Sequence, residues 1–88
     1  MKNKLAWYRL FHRREVESLP YVEESFDLES YGDITARLTK GQHYALVLPE
    51  EELFLPVGIN GRNPYLTPDG KFGAALDAEG YVWLGVLL

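Results

Sequence analysis

The chain contains no cysteine, only one methionine and only two histidines in 88 residues. Without cysteine it has neither a disulfide framework nor a thiolate zinc site. Small secreted domains usually depend on disulfides, so this absence predicts a reducing compartment such as the cytoplasm. His12 and His43 are far apart in the sequence and do not have the close spacing of a paired metal site. We therefore predict no metal and no bound cofactor.

Long uncharged apolar runs are also missing. In the N-terminal stretch MKNKLAWYRLFHRRE, Arg9 interrupts the apolar run early, whereas a secretory signal needs about 7–15 apolar residues. No stretch approaches the ~18 apolar residues of a membrane-spanning helix. The sequence therefore predicts a soluble, untargeted, cytoplasmic protein that does not bind membranes.

Catalytic motifs are absent as well. None of the serines lies in a G-x-S-x-G elbow, and GINGRN (residues 58–63) matches neither the dinucleotide-binding fingerprint nor the P-loop. The run of glutamates at 50–52 is more typical of a solvated turn than of an acid–base pair. These observations favour a non-enzymatic role.

The chain is instead rich in apolar and aromatic residues, at 47% and 14%. A chain of this length has enough residues for one dense core but not for two, so 1–88 is predicted to be a single domain. The C-terminal third contains two turn signals, TPDG at 67–70 and DAEG at 77–80. Their spacing predicts a β-meander with strands at 63–67, 71–77 and 81–87.

Both faces of the last predicted strand are apolar, so we expect it to be central or covered on both sides, with Val86, Leu87 and Leu88 held inside the sheet. Upstream, alternating apolar residues predict a hairpin of strands at 34–39 and 43–48. Three further features complete the pattern: a strand at 52–59 (ELFLPVGI) whose Pro56 favours an edge or a bulge, a single helical turn at 49–52, and a tight turn at Asn60-Gly61.

The first third of the chain is more ambiguous. Residues 5–12 fit both a strand and a helix face, and their aromatic content favours a strand. Residues 16–33 are interrupted by Pro20 and closed by Gly32, which predicts a loop with a short helix around 22–30. The predicted fold class is mostly β, a small antiparallel barrel or sandwich of five or six strands, with a β-rich α+β arrangement as the alternative.

The net charge of −4 is unevenly distributed. Residues 1–14 contain five basic and no acidic side chains, and residues 15–33, here called the acidic segment, contain seven acidic and no basic ones. Carboxylates steer a basic partner and aromatic side chains anchor it, so the acidic segment is a candidate docking surface. The alternative is a solvated loop that folds back on the basic N-terminus. The predicted partner-binding residues are Glu23, Glu24, Phe26, Asp27, Glu29 and Tyr31.

The basic N-terminal stretch interleaves cations with aromatic side chains, which is the combination that single-stranded nucleic-acid binders use. Its candidate nucleic-acid-binding residues are Lys4, Trp7, Arg9, Arg13 and Arg14. The sequence thus favours a small protein-interaction module that binds a basic protein, and a nucleic-acid-binding β-domain is the alternative. Size and charge alone suggest the small inhibitors, antitoxins and immunity proteins of phages and mobile elements.

Overall fold

A computed structural model describes residues 4–29, 31–57 and 64–88, which form two antiparallel sheets of four strands each. The strands are β1 (Leu5–His12), β2 (Tyr21–Leu28), β3 (Gly32–Lys40), β4 (Tyr44–Leu48), β5 (Leu53–Pro56), β6 (Tyr65–Leu66), β7 (Phe72–Leu76) and β8 (Tyr81–Leu87). The first sheet has the order β1-β8-β7-β6 and the second the order β2-β3-β4-β5. Two short 3-10 turns, Arg13–Val16 and Pro49–Glu51, follow β1 and β4.

The core lies between the two sheets, because alternate residues of each central strand point inward. Ile34, Ala36 and Leu38 of β3 are fully buried, as are Val82 and Leu84 of β8. The mostly β class is confirmed, and the sheets pack as a sandwich rather than closing into a barrel. The described residues contain eight strands instead of five or six, and β2 is the strand that lies where the sequence predicts a loop.

The C-terminal meander is confirmed. In the TPDG and DAEG turns, Gly70 and Gly80 have φ angles of 74° and 96°, which glycine adopts without a steric penalty. β8 is paired on both edges, with β1 and with β7. Val86 is buried, but Leu88 lies beyond the strand and is 69% exposed, so the last residue is not held inside the sheet.

The loop and short helix predicted around 22–30 are wrong, because these residues form the regular strand β2. Pro20 precedes the strand instead of interrupting it. Gly32, with a φ of 98°, begins β3 directly after the connection. The pairing with β3 runs residue by residue from Tyr21 opposite Thr39 to Leu28 opposite Gly32. This long ladder outweighs the weak strand preference of glutamate and aspartate.

The remaining local predictions are largely met. Residues 5–12 form a strand, the hairpin at 34–48 forms β3 and β4, and Pro56 lies on the edge strand β5. The strand expected at 63–67 is limited to Tyr65–Leu66, and the strand expected at 52–59 is limited to Leu53–Pro56. Residues 58, 59 and 63 lie outside the described residues, as does the turn predicted at Asn60-Gly61. Among the residues that the structure describes, no helix is long and apolar enough to cross a membrane.

Candidate protein-interaction surfaces

β2 places the central part of the acidic segment, with Glu23, Glu24 and Asp27, on the edge of the second sheet. Cross-strand pairing places Glu23 opposite Arg37, and their side chains form an ion pair at 2.8 Å. Arg37 also lies over the Tyr21 ring, 4.7 Å from its centroid. Asp27 is directly opposite Asp33, an arrangement of like charges that destabilises a sheet unless a cation joins them. The two ends of the β2–β3 hairpin therefore differ, and the end near the connection is purely acidic.

In the described part of the chain, no ion pair joins the acidic segment to the basic N-terminal stretch. The described residues contain two ion pairs, Glu23 with Arg37 and Glu17 with Lys40, and neither involves residues 4–14. Glu17 also accepts a hydrogen bond from the Tyr44 hydroxyl at 3.0 Å. The bond from Lys40 is the main reason why the pKa of Glu17 is lowered and that of Lys40 is raised. From the basic N-terminal stretch, Arg13 makes a smaller electrostatic contribution to the lowered pKa of Glu17, and the His12 N–H donates to Glu15 at 3.0 Å.

The two aromatic residues predicted to anchor a partner occupy different environments. Phe26 is half-buried and makes an edge-to-face contact with Phe11, at 6.0 Å between ring centroids, so it packs against the core instead of presenting its ring to a partner. Tyr31 is 44% exposed and donates a hydrogen bond to Glu51 at 2.8 Å. That hydrogen bond raises the pKa of Tyr31. Tyr31 therefore remains accessible at the tip of the hairpin.

Tyr31 and Glu51 border an open cleft of about 420 Å³ at one end of the sandwich. Its apolar wall includes Leu53 and Phe72, and Lys71 stands at its rim. The Oε1 atom of Glu51 is buried and has no hydrogen-bond partner within the described part of the chain. The cleft is therefore a mixed apolar and acidic recess next to the acidic end of the hairpin.

The outer face of the first sheet carries a second surface, here called the aromatic face and defined by Trp7, Arg9, Tyr81 and Trp83. β1 and β8 pair so that Trp7 lies opposite Gly85 and Arg9 opposite Trp83. A Cβ atom at Gly85 would lie 3.0 Å from the Trp7 ring, so the missing side chain lets the indole lie flat on the sheet. Trp7 is 37% exposed, and Arg9 covers the Tyr81 ring at 4.5 Å.

The structure brings together only part of the predicted nucleic-acid-binding set. Trp7 and Arg9 share the aromatic face, whereas Arg13 and Arg14 lie in the 3-10 turn after β1 and Lys4 precedes the strand. Arg13, Arg14 and Lys4 are all exposed. Phe11, one of the neighbouring aromatics, is buried in the core. Lys4 therefore flanks the aromatic face on one side, and Arg13 with Arg14 flanks it on the other. These cations do not form one continuous basic stripe.

Two residues that position these surfaces were not identified from the sequence. Asp77 accepts hydrogen bonds from the Trp83 indole at 2.8 Å and from two backbone N–H groups of its turn. The indole bond is the main cause of the lowered pKa of Asp77. His12 accepts a hydrogen bond from the Arg14 N–H through Nδ1 and donates one from Nε2 to the Glu79 carbonyl. The position of Asp77 at the start of the DAEG turn was a usable signal, whereas the role of His12 depends on a contact distant in sequence.

Across residues 4–29, 31–57 and 64–88, no three histidine, aspartate or glutamate side chains converge where they could hold a metal ion. The fold and its two surfaces define the chain as a small antiparallel β-sandwich. Comparison with protein-family models, with curated proteins and with solved structures found no match.

Proposed function

We propose that this chain is a non-enzymatic protein-interaction module that binds a basic partner through the acidic segment. The observation that carries the proposal is that β2 and the turn after it fix Glu24, Asp27 and Glu29 in exposed positions, without an ion pair to any described cation. A fixed strand presents these charges in one geometry, so a complementary partner loses less conformational freedom on binding than it would against a mobile loop.

The electrostatics of the hairpin support the same proposal. Asp27 and Asp33 repel each other in the free protein, and a cation placed between them would relieve that repulsion. Tyr31 offers an exposed ring beside the acidic cleft, which suits the aliphatic stem and charged head of a lysine or arginine. An inhibitor, antitoxin or immunity-type role in the cytoplasm of a cell that carries a phage or mobile element remains the functional setting we propose.

The proposal is tested by reversing the charge of the acidic segment and, separately, that of the basic N-terminal stretch. One variant carries Glu24→Lys, Asp27→Lys and Glu29→Lys, and its matched control carries Arg9→Glu, Arg13→Glu and Arg14→Glu. Glu23 is left unchanged because a lysine there would face Arg37. Proteins captured from the host lysate by the wild type are purified, and their affinities for the three forms are measured at several salt concentrations.

We expect the captured partner to be a basic protein. Its Kd should rise by about tenfold or more for the acidic-reversal variant and change little for the arginine-reversal control. Circular dichroism establishes that each variant is folded, since exposed substitutions usually change the free energy of unfolding by less than about 0.5 kcal/mol each. If binding survives the acidic reversal and is lost in the control, the proposal is wrong.

A nucleic-acid-binding β-domain is the second candidate function, and the aromatic face is the observation that favours it. Trp7 and Trp83 share the outer sheet face with Arg9, whose guanidinium covers the Tyr81 ring, so the two indoles would be stacking platforms for bases next to a phosphate-binding cation. This candidate predicts that a fluorescein-labelled single-stranded oligonucleotide binds with a negative log–log salt slope. The arginine reversal would then weaken binding and reduce the slope, and the acidic reversal would not.

A further inference from the structure

The four sheet edges of this sandwich are protected unequally. β6 has two residues, and β5 has four and ends in Pro56. β1 has an irregular register between Arg9 and His12. Short strands, proline and register irregularities are backbone features that protect exposed edges from pairing. β2 has none of these features, because it has eight residues in unbroken register with β3.

The outer edge of β2 is also open. Alternate peptide groups of an antiparallel strand point away from its neighbour. Within the described part of the chain, β3 is the one strand that pairs with β2. No other backbone hydrogen bond there involves residues 21–27. Five of the eight β2 residues are exposed, which agrees with an uncovered edge.

We propose that β2 is a strand-addition site, at which an extended basic segment of a partner pairs with the free edge as a further strand of the second sheet. This inference rests on the proposed function, because it names the form in which the basic partner binds. Main-chain hydrogen bonds supply affinity in such complexes, and alternate side chains supply specificity.

The side chains of β2 define which segment fits. Glu23, Ser25 and Asp27 lie on the outer face of the sheet, so an added strand would place basic side chains beside them. Val22 and Phe26 are half-buried on the opposite face, where apolar side chains of the added strand would extend the core. The preferred segment therefore alternates lysine or arginine with apolar residues.

The same carboxylates exclude a second copy of this chain from the edge. Pairing β2 with another β2 would bring glutamates and aspartates of the two strands alongside one another, and like charges on neighbouring strands are destabilising. Glu24 adds to this effect, because it is exposed although it lies on the same inward face of the strand as Val22 and Phe26. Charged residues at such positions discourage pairing between identical edges.

The test uses an acetylated and amidated peptide of about eight residues in which lysine and valine alternate. A control peptide of the same sequence carries N-methyl groups on two successive central residues, so that neither of its edges can pair. Amide hydrogen exchange of the full chain is followed by NMR for the wild type, for Glu24→Lys with Asp27→Lys, and for the matched exposed control Glu79→Lys.

We expect the unmodified peptide to slow exchange at alternate β2 amides by about tenfold or more in the wild type and in Glu79→Lys. The N-methylated peptide should leave these amides unchanged, as should either peptide added to the double lysine variant. If both peptides bind the wild type equally well and neither protects β2, the strand-addition inference is wrong but the proposed function stands. If neither binds at low salt, both are overturned.

Discussion

At the scale of single residues, Asp77 is the side chain that connects the last turn to the aromatic face. One of its carboxylate oxygens accepts the N–H groups of Glu79 and Tyr81, and the other accepts the indole N–H of Trp83. Hydrogen bonds to an ionised carboxylate are stronger than those between neutral groups. The orientation of Trp83 therefore depends on the charge of Asp77.

This dependence predicts how stability changes in acid. The pKa of Asp77 in the folded protein lies below its ordinary value of 3.8, so the unfolded chain takes up a proton first as the pH falls. The contribution of Asp77 is thus fully present above about pH 4 and is lost as the pH falls through the lowered pKa. We expect Asp77→Asn to be less stable than the wild type at neutral pH and to show a weaker dependence of Tm on pH below about 4.

The measurement is thermal unfolding between neutral pH and about pH 2, with Glu79→Gln as the control because that exposed side chain makes no hydrogen bond to Trp83. The indole N–H resonance of Trp83 should shift in the wild type over the same acidic range. Identical Tm–pH profiles for the wild type and Asp77→Asn would show that the Asp77–Trp83 bond does not contribute to stability.

His12 and Gly80 form a second contact that depends on the identity of individual residues. A Cβ atom at Gly80 would lie 2.8 Å from His12 Nε2, and its φ angle of 96° disfavours any other residue. The Arg13 N–H donates to the Gly80 carbonyl at 2.7 Å. The end of β1 and the β7–β8 turn are therefore joined by two hydrogen bonds, from His12 Nε2 to the Glu79 carbonyl and from the Arg13 N–H to the Gly80 carbonyl, and only glycine at position 80 leaves room for them.

At the scale of strands, β8 shows where the C-terminal apolar run is buried and where it is not. Val86 is 1% exposed, whereas Leu88 lies outside the strand. The Leu88 N–H still donates to the Lys4 carbonyl at 2.9 Å. The contribution of the run to stability is therefore concentrated in the residues that face the other sheet.

We accordingly predict different costs for two substitutions that are only two positions apart. Val86→Ala should lower the free energy of unfolding by about 1.5–3 kcal/mol, because it removes buried methyl groups and leaves a cavity. Leu88→Ala should change it by less than about 0.5 kcal/mol, since the side chain is exposed and the backbone bond is retained. Urea unfolding measures both values, and equal costs would contradict the assignment of the two environments.

The strands differ in how far the sequence alone predicts them. β8 is predictable because its apolar residues alternate and a glycine turn precedes it. β2 is not, because its alternation is carried by Val22, Phe26 and Leu28 among acidic residues that disfavour strands, and the ladder with β3 decides the outcome.

The candidate surfaces likewise have some features that the sequence predicts and others that it does not. The charge of the acidic segment can be counted from the sequence, but the inward direction of Phe26 follows from its pairing opposite Ile34. Trp7 meets Gly85 only because the first and last strands are neighbours. Local patterns contain no information about such a distant pairing.

At the scale of the whole molecule, positive and negative charge are separated along the chain, and ion pairs in the described residues do not bring the two segments together. Neither ion pair in the described residues joins the basic N-terminal stretch to the acidic segment. Repulsion within the acidic segment, above all between Asp27 and Asp33, is therefore only partly compensated.

This arrangement predicts that salt stabilises the protein. Raising NaCl from about 0.02 to about 0.5 M shortens the screening length below the spacing of the acidic groups. We expect Tm to rise by about 2–4 °C, the equivalent of roughly half a kcal/mol for a domain of this size. The gain should be smaller in Asp27→Asn, measured by calorimetry at pH 7. A fall in Tm with salt would mean that attraction between the two charged segments dominates instead.

The position of the tryptophans gives the molecule an optical property. The chain has two tryptophans, and both lie on the aromatic face. Trp7 packs against Gly85, and Trp83 donates a hydrogen bond to the carboxylate of Asp77. A molecule that covers this face removes water from both indoles and shifts their emission to shorter wavelength, whereas one bound at the free edge of β2 leaves the spectrum unchanged. Unlabelled protein in a fluorimeter thus reports which of its two surfaces has been occupied.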